Sequence, residues 1–145
     1  MLFRSAHNQP RGHSDPTAHA EILAIRAAAK ALGSERLEGC ELWVTLEPCA
    51  MCAGAIAHAR IARLYYAASD PKGGAVEHGA RIFDQDQCLH RPEVYSGMGE
   101  AEAAELLRSF FSSAHFARGV AAHRLALSHP QWPVAAARTP PGRGG

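Results

Sequence analysis

The chain has 145 residues, of which 47% are hydrophobic and 20% are charged, and its formal net charge is +1. This size and composition are typical of one globular domain with a sizeable core, and nothing in them indicates a membrane-spanning segment. A net charge so close to zero argues against a strongly basic surface for non-specific RNA binding, although it leaves room for a local contact. The first ten residues contain no apolar run of signal-peptide length, so we expect a cytoplasmic protein.

The N-terminal part of the chain predicts a loop followed by a helix. Residues 1–14 are polar and are expected to form the loop. Asp15 and Pro16 then provide an N-cap and a first-turn residue for a helix that should end at Leu32, before Gly33. Its apolar residues recur on one face, which should pack on a sheet: Ile22, Ile25, Ala29 and Leu32.

The middle of the chain has the pattern of a strand, a helix and a second strand. Residues 41–46 form an apolar strand-like run, residues 48–59 are rich in helix formers, and residues 62–68 read as another strand. A βαβ unit of this kind is right-handed and places its two strands side by side and parallel. Ligands of open α/β sheets bind at the carboxyl ends of such strands, which is where Cys49 and Cys52 lie.

The second half of the chain is less regular. A turn-rich loop at 69–75 precedes a short strand at 93–96 and an amphipathic helix at 99–118. From Ser128 the sequence is rich in Pro, Gly and Arg and has no periodicity, which predicts disorder. We therefore divide the chain into a domain of residues 1–127 and a disordered tail of residues 128–145.

Two cysteines at metal-ligand spacing form the most informative motif. Cys49 and Cys52 are separated by three residues at the start of a predicted helix, so both sulfur atoms face one side and the helix N-terminus favours their thiolate forms. Taken alone, the motif also fits a redox dithiol or a structural zinc ribbon. A ribbon needs a second CxxC or a His pair, which the chain lacks at such spacing. Neither alternative explains why His19 stands two residues before Glu21 upstream.

A catalytic zinc site needs three protein ligands and an open position, and His19, Cys49 and Cys52 would supply the ligands. Glu21 would then stay outside the coordination sphere and transfer protons. Residues two apart on a regular helix point about 200° apart. His19 and Glu21 must therefore lie at the first turn, where the backbone is less regular.

Four segments in this order resemble the zinc-dependent nucleoside and nucleobase deaminases, and among them the bacterial tRNA adenosine deaminases. The segments are NQPRGHSDPTAHAEI, LWVTLEPCAMCAGA, ASDPKGGA and HRPEV. The resemblance runs from about residue 8 to about residue 111. It implies a cytidine deaminase-like three-layer α/β/α sandwich with a mixed sheet, and a homodimer that deaminates adenosine to inosine at the wobble position of the tRNA anticodon loop.

The resemblance also assigns roles to residues. It implies Zn²⁺ bound by the two cysteines and the histidine of the HAE segment, with Glu21 as the general acid and base. Asn8 matches the Asn that contacts the target nucleoside, and Asp70 matches a loop Asp near the RNA backbone. The family usually has FFR and further basic residues in its last helix, whereas residues 110–119 read FFSSAHFARG. That departure keeps open a deaminase of a free nucleobase, nucleoside or nucleotide, and an inactive zinc-stabilised fragment.

The start of the chain also departs from the family pattern. A helix and a strand hairpin precede the Asn and HAE segments in the family, but only residues 1–7 precede Asn8 here. We therefore expect an N-terminally truncated version of the fold, in which one edge of the strand at 41–46 is unpaired. A misassigned start codon explains this better than strands supplied by a partner.

Overall fold

The computed structural model describes residues 3–97, Ala101 and residues 135–138, with the backbone alone at residues 3–5 and 135–138. Five strands, two α-helices and one short 3-10 helix lie within these residues. In chain order they are β1 (Phe3–Ala6), α1 (Ala20–Leu32), β2 (Glu41–Leu46), α2 (Ala50–His58), β3 (Arg63–Ala68), the 3-10 helix (Ile82–Asp84), β4 (Glu93–Ser96) and β5 (Ala135–Arg138).

The strands form one mixed sheet in the order β1-β5-β2-β3-β4. β2 and β3 are parallel, with Leu42 opposite Leu64, and β3 and β4 are parallel as well. β5 is antiparallel to both of its neighbours, β1 and β2. The structure thus confirms the α/β class, the mixed sheet and the predicted βαβ unit, and it places the carboxyl ends of β2 and β3 at the same edge.

One face of the sheet packs against the helices to form the core. Alternation along the strands directs Leu42 and Val44 of β2, and Leu64 and Tyr66 of β3, to this face, where all four are buried. α1 packs on β1 and β5 and touches α2. Apart from Ile56, the helix residues of the buried core cluster are alanines, which lets the helices approach the sheet closely: Ala20, Ala24, Ala28, Ala53 and Ala57.

The other face of the sheet carries a row of stacked aromatic rings. Trp43 stacks on Tyr65 with ring centroids 4.0 Å apart, and Tyr65 stacks on Tyr95 at 4.9 Å. The three residues occupy neighbouring positions on β2, β3 and β4, so the row crosses the strands. The predicted helix at 99–118 falls outside the described residues except for Ala101.

Helix α1 begins later than the sequence pattern predicts. Its N-cap is His19, and Asp15 caps an upstream turn instead, because its Oδ1 atom accepts hydrogen bonds from the N–H and the hydroxyl of Thr17 at 2.8 and 2.7 Å. The predicted start at Asp15 and Pro16 is therefore wrong. The predicted end is confirmed, since Gly33 adopts the left-handed conformation with φ 65° after Leu32.

The first and last described strands, β1 and β5, pair in the sheet, which corrects two expectations. β1 lies within residues 1–14, which were predicted to form only a loop. Its neighbour β5 pairs with β2 through residues 41–44, so the expectation of an unpaired edge on β2 is wrong. The backbone N–H and C=O groups of that edge bond to a strand from the far end of the chain.

Residues 135–138 also correct the expectation for the tail. They form β5 and are not disordered, although the composition of 128–145 gives no strand signal. The other residues of that range lie outside the described part of the chain, and the domain division stays a prediction. Within the described residues, no helix is long and apolar enough to cross a membrane.

Candidate active site

Three side chains that could hold a metal ion meet at the carboxyl edge of the sheet. Nδ1 of His19 lies 3.8 Å from Sγ of Cys49 and 3.6 Å from Sγ of Cys52, and the ligand atoms all lie within 4.8 Å of one another. A tetrahedral zinc with bonds of about 2.0 Å to nitrogen and 2.3 Å to sulfur separates such ligands by about 3.5 Å. The donor set and its spacing therefore fit a zinc ion.

Two helix starts position these ligands. His19 is the N-cap of α1 and Cys49 is the N-cap of α2, and both have extended backbone dihedral angles. Cys52 follows in the first turn of α2 and is buried. The structure confirms the expectation that His19 and Glu21 lie at a helix start. Because the backbone of an N-cap residue is not helical, the rotation of about 200° that separates residues two apart on a regular helix does not apply to this pair.

The pKa values of the two thiols are shifted in opposite directions. The hydrogen bond with Cys52, opposed by burial and aided by backbone N–H groups, lowers the pKa of Cys49 to about 5. The same hydrogen bond, burial and the nearby charge of Glu21 raise the pKa of Cys52 above its ordinary value. Two adjacent thiolates repel each other, and a divalent cation between them would offset that repulsion.

Glu21 lies against the thiols but is not one of the three clustered ligands. Burial is the main cause that raises the pKa of its carboxyl group, and the charge of Cys49 raises it further, while His19 lowers it. The neighbouring Cys52 side chain acts on the pKa of Glu21 in the lowering direction, as His19 does. A carboxyl group in this place can reach a molecule bound beside the metal ligands without occupying their positions.

The two expected substrate-binding residues, Asn8 and Asp70, lie in loops that are hydrogen-bonded to residues close in sequence to the three clustered residues. Oδ1 of Asn8 accepts a hydrogen bond of 2.6 Å from the backbone N–H of Ala20. Oδ1 of Asp70 accepts the N–H groups of Lys72 and Gly73 at 3.1 and 3.0 Å, which shapes the turn after β3. Both residues thus have structural contacts, and their roles toward a substrate stay predictions.

Glu47 is the residue that sequence reasoning missed. It is only 3% exposed, and its two carboxylate oxygens accept hydrogen bonds from the loop that follows Asp70. Burial raises its pKa, but the hydrogen bonds from backbone N–H groups and from His78 outweigh burial and lower the pKa to about 2. The only sequence signal was a carboxylate directly after an apolar strand and two residues before Cys49.

Comparison with known proteins places this site in a family. The model of the MafB19-like deaminases matches residues 2–115. The tRNA-specific adenosine deaminase of Agrobacterium fabrum is 64% identical over 111 residues, which are 77% of this chain and 72% of that protein. The enzyme of the same name from Bacillus subtilis is 43% identical over 110 residues, which are 76% of this chain and 68% of that protein.

Solved structures give the same result. A chain from a study of A-to-I editing by tRNA:A34 deaminases at the wobble position of transfer RNA has 63% sequence identity and a TM-score of 0.67, over 68% of this chain and 72% of that one. Guanine deaminase from Nitrosomonas europaea has 28% identity and a TM-score of 0.55, over 72% of this chain and 62% of that one. These matches confirm the cytidine deaminase-like fold. The chain belongs to the MafB19-like deaminase family.

Proposed function

We propose that this chain is a zinc-dependent enzyme that hydrolyses adenosine to inosine in tRNA, at the wobble position of the anticodon. The observation that carries the reaction class is the cluster of His19, Cys49 and Cys52, whose ligand atoms lie within 4.8 Å of one another, with the carboxyl group of Glu21 close enough for the three residues to shift its pKa. One imidazole and two thiolates leave a fourth tetrahedral position open, as catalytic zinc sites require.

The chemistry assigns one role to each part of the site. Hydrolytic deamination adds water at C6 of adenine and releases ammonia, so a carbonyl oxygen replaces the amine. When bound at the three ligands, zinc would supply the Lewis acidity that makes water a nucleophile near neutral pH. Glu21 accepts the proton that the water loses, and it delivers protons to the ring nitrogen and to the departing amine.

The relatives support the choice of substrate. Proteins named tRNA-specific adenosine deaminases match 77% and 76% of this chain. The deaminase family model matches residues 2–115, a range that includes His19, Cys49 and Cys52. A base in an unpaired RNA loop can be turned into a pocket, where flanking nucleotides add binding contacts. We assign those flanking contacts to Asp70 and the contact with the nucleoside to Asn8.

A second candidate is deamination of a free nucleobase. The structural match to a guanine deaminase supports it, because that protein shares the fold at 28% identity. The departure of residues 110–119 from the basic family pattern also favours it. These residues lie outside the described part of the chain.

Measurement of inosine separates the candidates. Zinc-loaded protein should convert an anticodon stem-loop with adenosine at the wobble position much faster than it converts free adenosine, cytosine or guanine. Glu21→Gln is the control, because it should bind zinc and form no inosine. Faster turnover of a free base would support the second candidate. A folded, zinc-loaded protein without any turnover would indicate an inactive zinc-stabilised module.

The family resemblance also implies a homodimer and a cytoplasmic location, which stay predictions. Sedimentation of the zinc-loaded protein should give twice the mass of one chain. A monomer that retains full activity would contradict the proposed dimer.

A further inference from the structure

We propose that Glu47 is a positioning residue of the deamination site, which holds the loop of residues 70–78 in a fixed place beside the metal ligands. This inference rests on the proposed function. It starts from a feature that the reaction does not use, a buried carboxylate two residues before Cys49.

Within the described residues, the hydrogen bonds to the carboxylate of Glu47 all come from one loop. Oε1 accepts the backbone N–H groups of Val76, Glu77 and His78 at 3.1, 2.9 and 3.0 Å. Oε2 accepts the N–H of Asp70 at 3.0 Å and the ring Nδ1–H of His78 at 2.8 Å. The carboxylate thus joins the beginning and the end of the loop.

Burial of the Glu47 carboxylate costs free energy, which its hydrogen bonds to the loop offset. A carboxylate that is 3% exposed loses nearly all of its hydration, and an apolar side chain would fill the same space without that cost. The bonds that offset the cost fix the conformation of residues 70–78. Within the described residues, the side chain of Glu47 bonds to no residue of a helix or a strand. The interaction is therefore directed at the shape of the loop.

The loop is built to fit closely around the carboxylate. A Cβ atom at Gly74 would lie 2.5 Å from Cδ of Glu47 and 2.5 Å from the carbonyl oxygen of Asp70, so only glycine fits. The N–H of Ala75 donates to the carbonyl of Pro48 at 2.8 Å. The loop is thus attached both to the side chain of Glu47 and to the backbone that leads into Cys49.

These contacts make the metal site and the substrate loop one unit. Cys49 is the N-cap of α2, and its carbonyl accepts the N–H of Ala53 at 2.8 Å, so the helix fixes its position. Asp70 is held by Glu47 on the other side. If the hydrogen bond between Glu47 and the N–H of Asp70 is lost, Asp70 can shift relative to the metal ligands. A misplacement of about 1 Å lowers the rate of catalysis on the order of 100-fold.

Glu47→Gln tests this role with little change in volume. The amide oxygen of Gln can replace one of the two carboxylate oxygens. The NH₂ group takes the position of the other oxygen, where it faces N–H donors of the loop and cannot accept from them. The NH₂ group is tolerated best at the Oε2 position, where the imidazole of His78 can change tautomer and accept. The N–H of Asp70 then faces a donor, and the beginning of the loop is released.

For Glu47→Gln we expect wild-type zinc content and a kcat/KM for the anticodon stem-loop that is about 10- to 100-fold lower, chiefly through a higher KM. Amide hydrogen exchange in residues 70–78 should become faster, while exchange in α2 stays unchanged. Glu77→Gln is the matched control. It makes the same charge change in the same loop, and its carboxylate is exposed and accepts a hydrogen bond from Ser96 at 3.0 Å.

A second pair of variants tests the fit of the loop. Gly74→Ala should reproduce the higher KM and the faster exchange of Glu47→Gln, because the new methyl group forces the loop off the carboxylate. Gly54→Ala in α2 is its control, since a Cβ atom there meets nothing within 4 Å. If Glu47→Gln does not fold, His78→Ala removes one of the five bonds at a half-exposed ring and should raise KM in the same direction by a smaller factor.

Two results would overturn the proposal. One is a Glu47→Gln protein with wild-type KM and wild-type exchange in the loop. The other is a loss of activity that is fully explained by loss of zinc or of folded protein, with an unchanged KM for the remainder. A wild-type protein that forms no inosine would instead contradict the proposed function, and hydrogen exchange and zinc content would still decide whether Glu47 holds the loop.

Discussion

The side-chain oxygen of Asn8 accepts a hydrogen bond of 2.6 Å from the backbone N–H of Ala20, the first residue of α1. That N–H is one of the groups that a helix leaves without an internal acceptor. Ala20 stands between His19 and Glu21, so Asn8 holds the residue between a proposed metal ligand and the proposed proton carrier. Its side-chain nitrogen takes no part in this bond and can serve the substrate.

The two atoms of the Asn8 amide can be tested separately. Asn8→Asp keeps an acceptor for Ala20 but loses the NH₂ donor, whereas Asn8→Ala loses both. We expect both variants to lower kcat/KM on the stem-loop, and only Asn8→Ala to lower the free energy of unfolding, by about 1 kcal/mol. Urea denaturation and steady-state kinetics measure the two effects. Wild-type kinetics in Asn8→Asp would remove the amide from substrate binding.

Metal content should separate ligands from the proton carrier. Purified protein should contain one zinc per chain, and Cys49→Ala or Cys52→Ala should lose it, because two remaining ligands hold zinc poorly. Glu21→Gln should keep the metal and lower kcat by about 100- to 10,000-fold. Cys88→Ala is the control, because Cys88 is a half-buried thiol outside the cluster. This variant should keep the zinc content and the kcat of the wild type. Loss of zinc in Glu21→Gln would place that carboxylate in the coordination sphere.

Asp70→Asn should weaken RNA turnover without affecting the fold. The amide oxygen of Asn can still accept the N–H groups of Lys72 and Gly73, so the turn is retained while the negative charge is lost. We expect a lower kcat/KM for the stem-loop and an unchanged zinc content. Turnover of free adenosine, if any is detected, should also be unchanged. Identical kinetics on the stem-loop would show that this carboxylate has no contact with RNA.

Removal of β5 should destabilise the whole sheet. A chain that ends at residue 134 loses the strand between β1 and β2, which leaves the edge of β2 unpaired and uncovers part of α1. We expect the free energy of unfolding to fall by about 2 to 4 kcal/mol and the protein to aggregate. A chain that ends at residue 138 retains β5 and is the control. Equal stability of the two would show that β5 is dispensable.

The sequence by itself determined the centre of the fold and of the site. The apolar run at residues 41–46 and the helix-forming residues that follow Cys49 predict a parallel βαβ unit, and the structure confirms it. Parallel strands end at the same edge, so the pattern also placed the cysteines where ligands bind. The proposal of a third ligand followed from chemistry, since two thiolates do not complete a zinc site, and the structure brings His19 within 3.8 Å of both sulfur atoms. These signals are local in sequence, which is why they can be read directly.

Only the tertiary structure decided the contacts between distant segments. Composition predicts disorder for residues 128–145, but residues 135–138 form a strand because β1 and β2 leave a gap with unpaired backbone groups. The pattern assigned the cap of α1 to Asp15, but Asn8 reaches Ala20 from twelve residues away. Such bonds depend on which groups the fold brings within about 3 Å of each other. The periodicity of apolar residues along the sequence does not predict these contacts.

Glu47 shows the same limit within the site itself. In the sequence it is one acidic residue between a strand and a cysteine motif, and nothing local distinguishes it from a solvent-exposed carboxylate. In the structure it is 3% exposed, because the loop of residues 70–78 folds over it and donates its backbone N–H groups. Burial of a charge depends on donors from elsewhere in the chain, so the fold alone decides whether such a residue is at the surface or at the centre of the site.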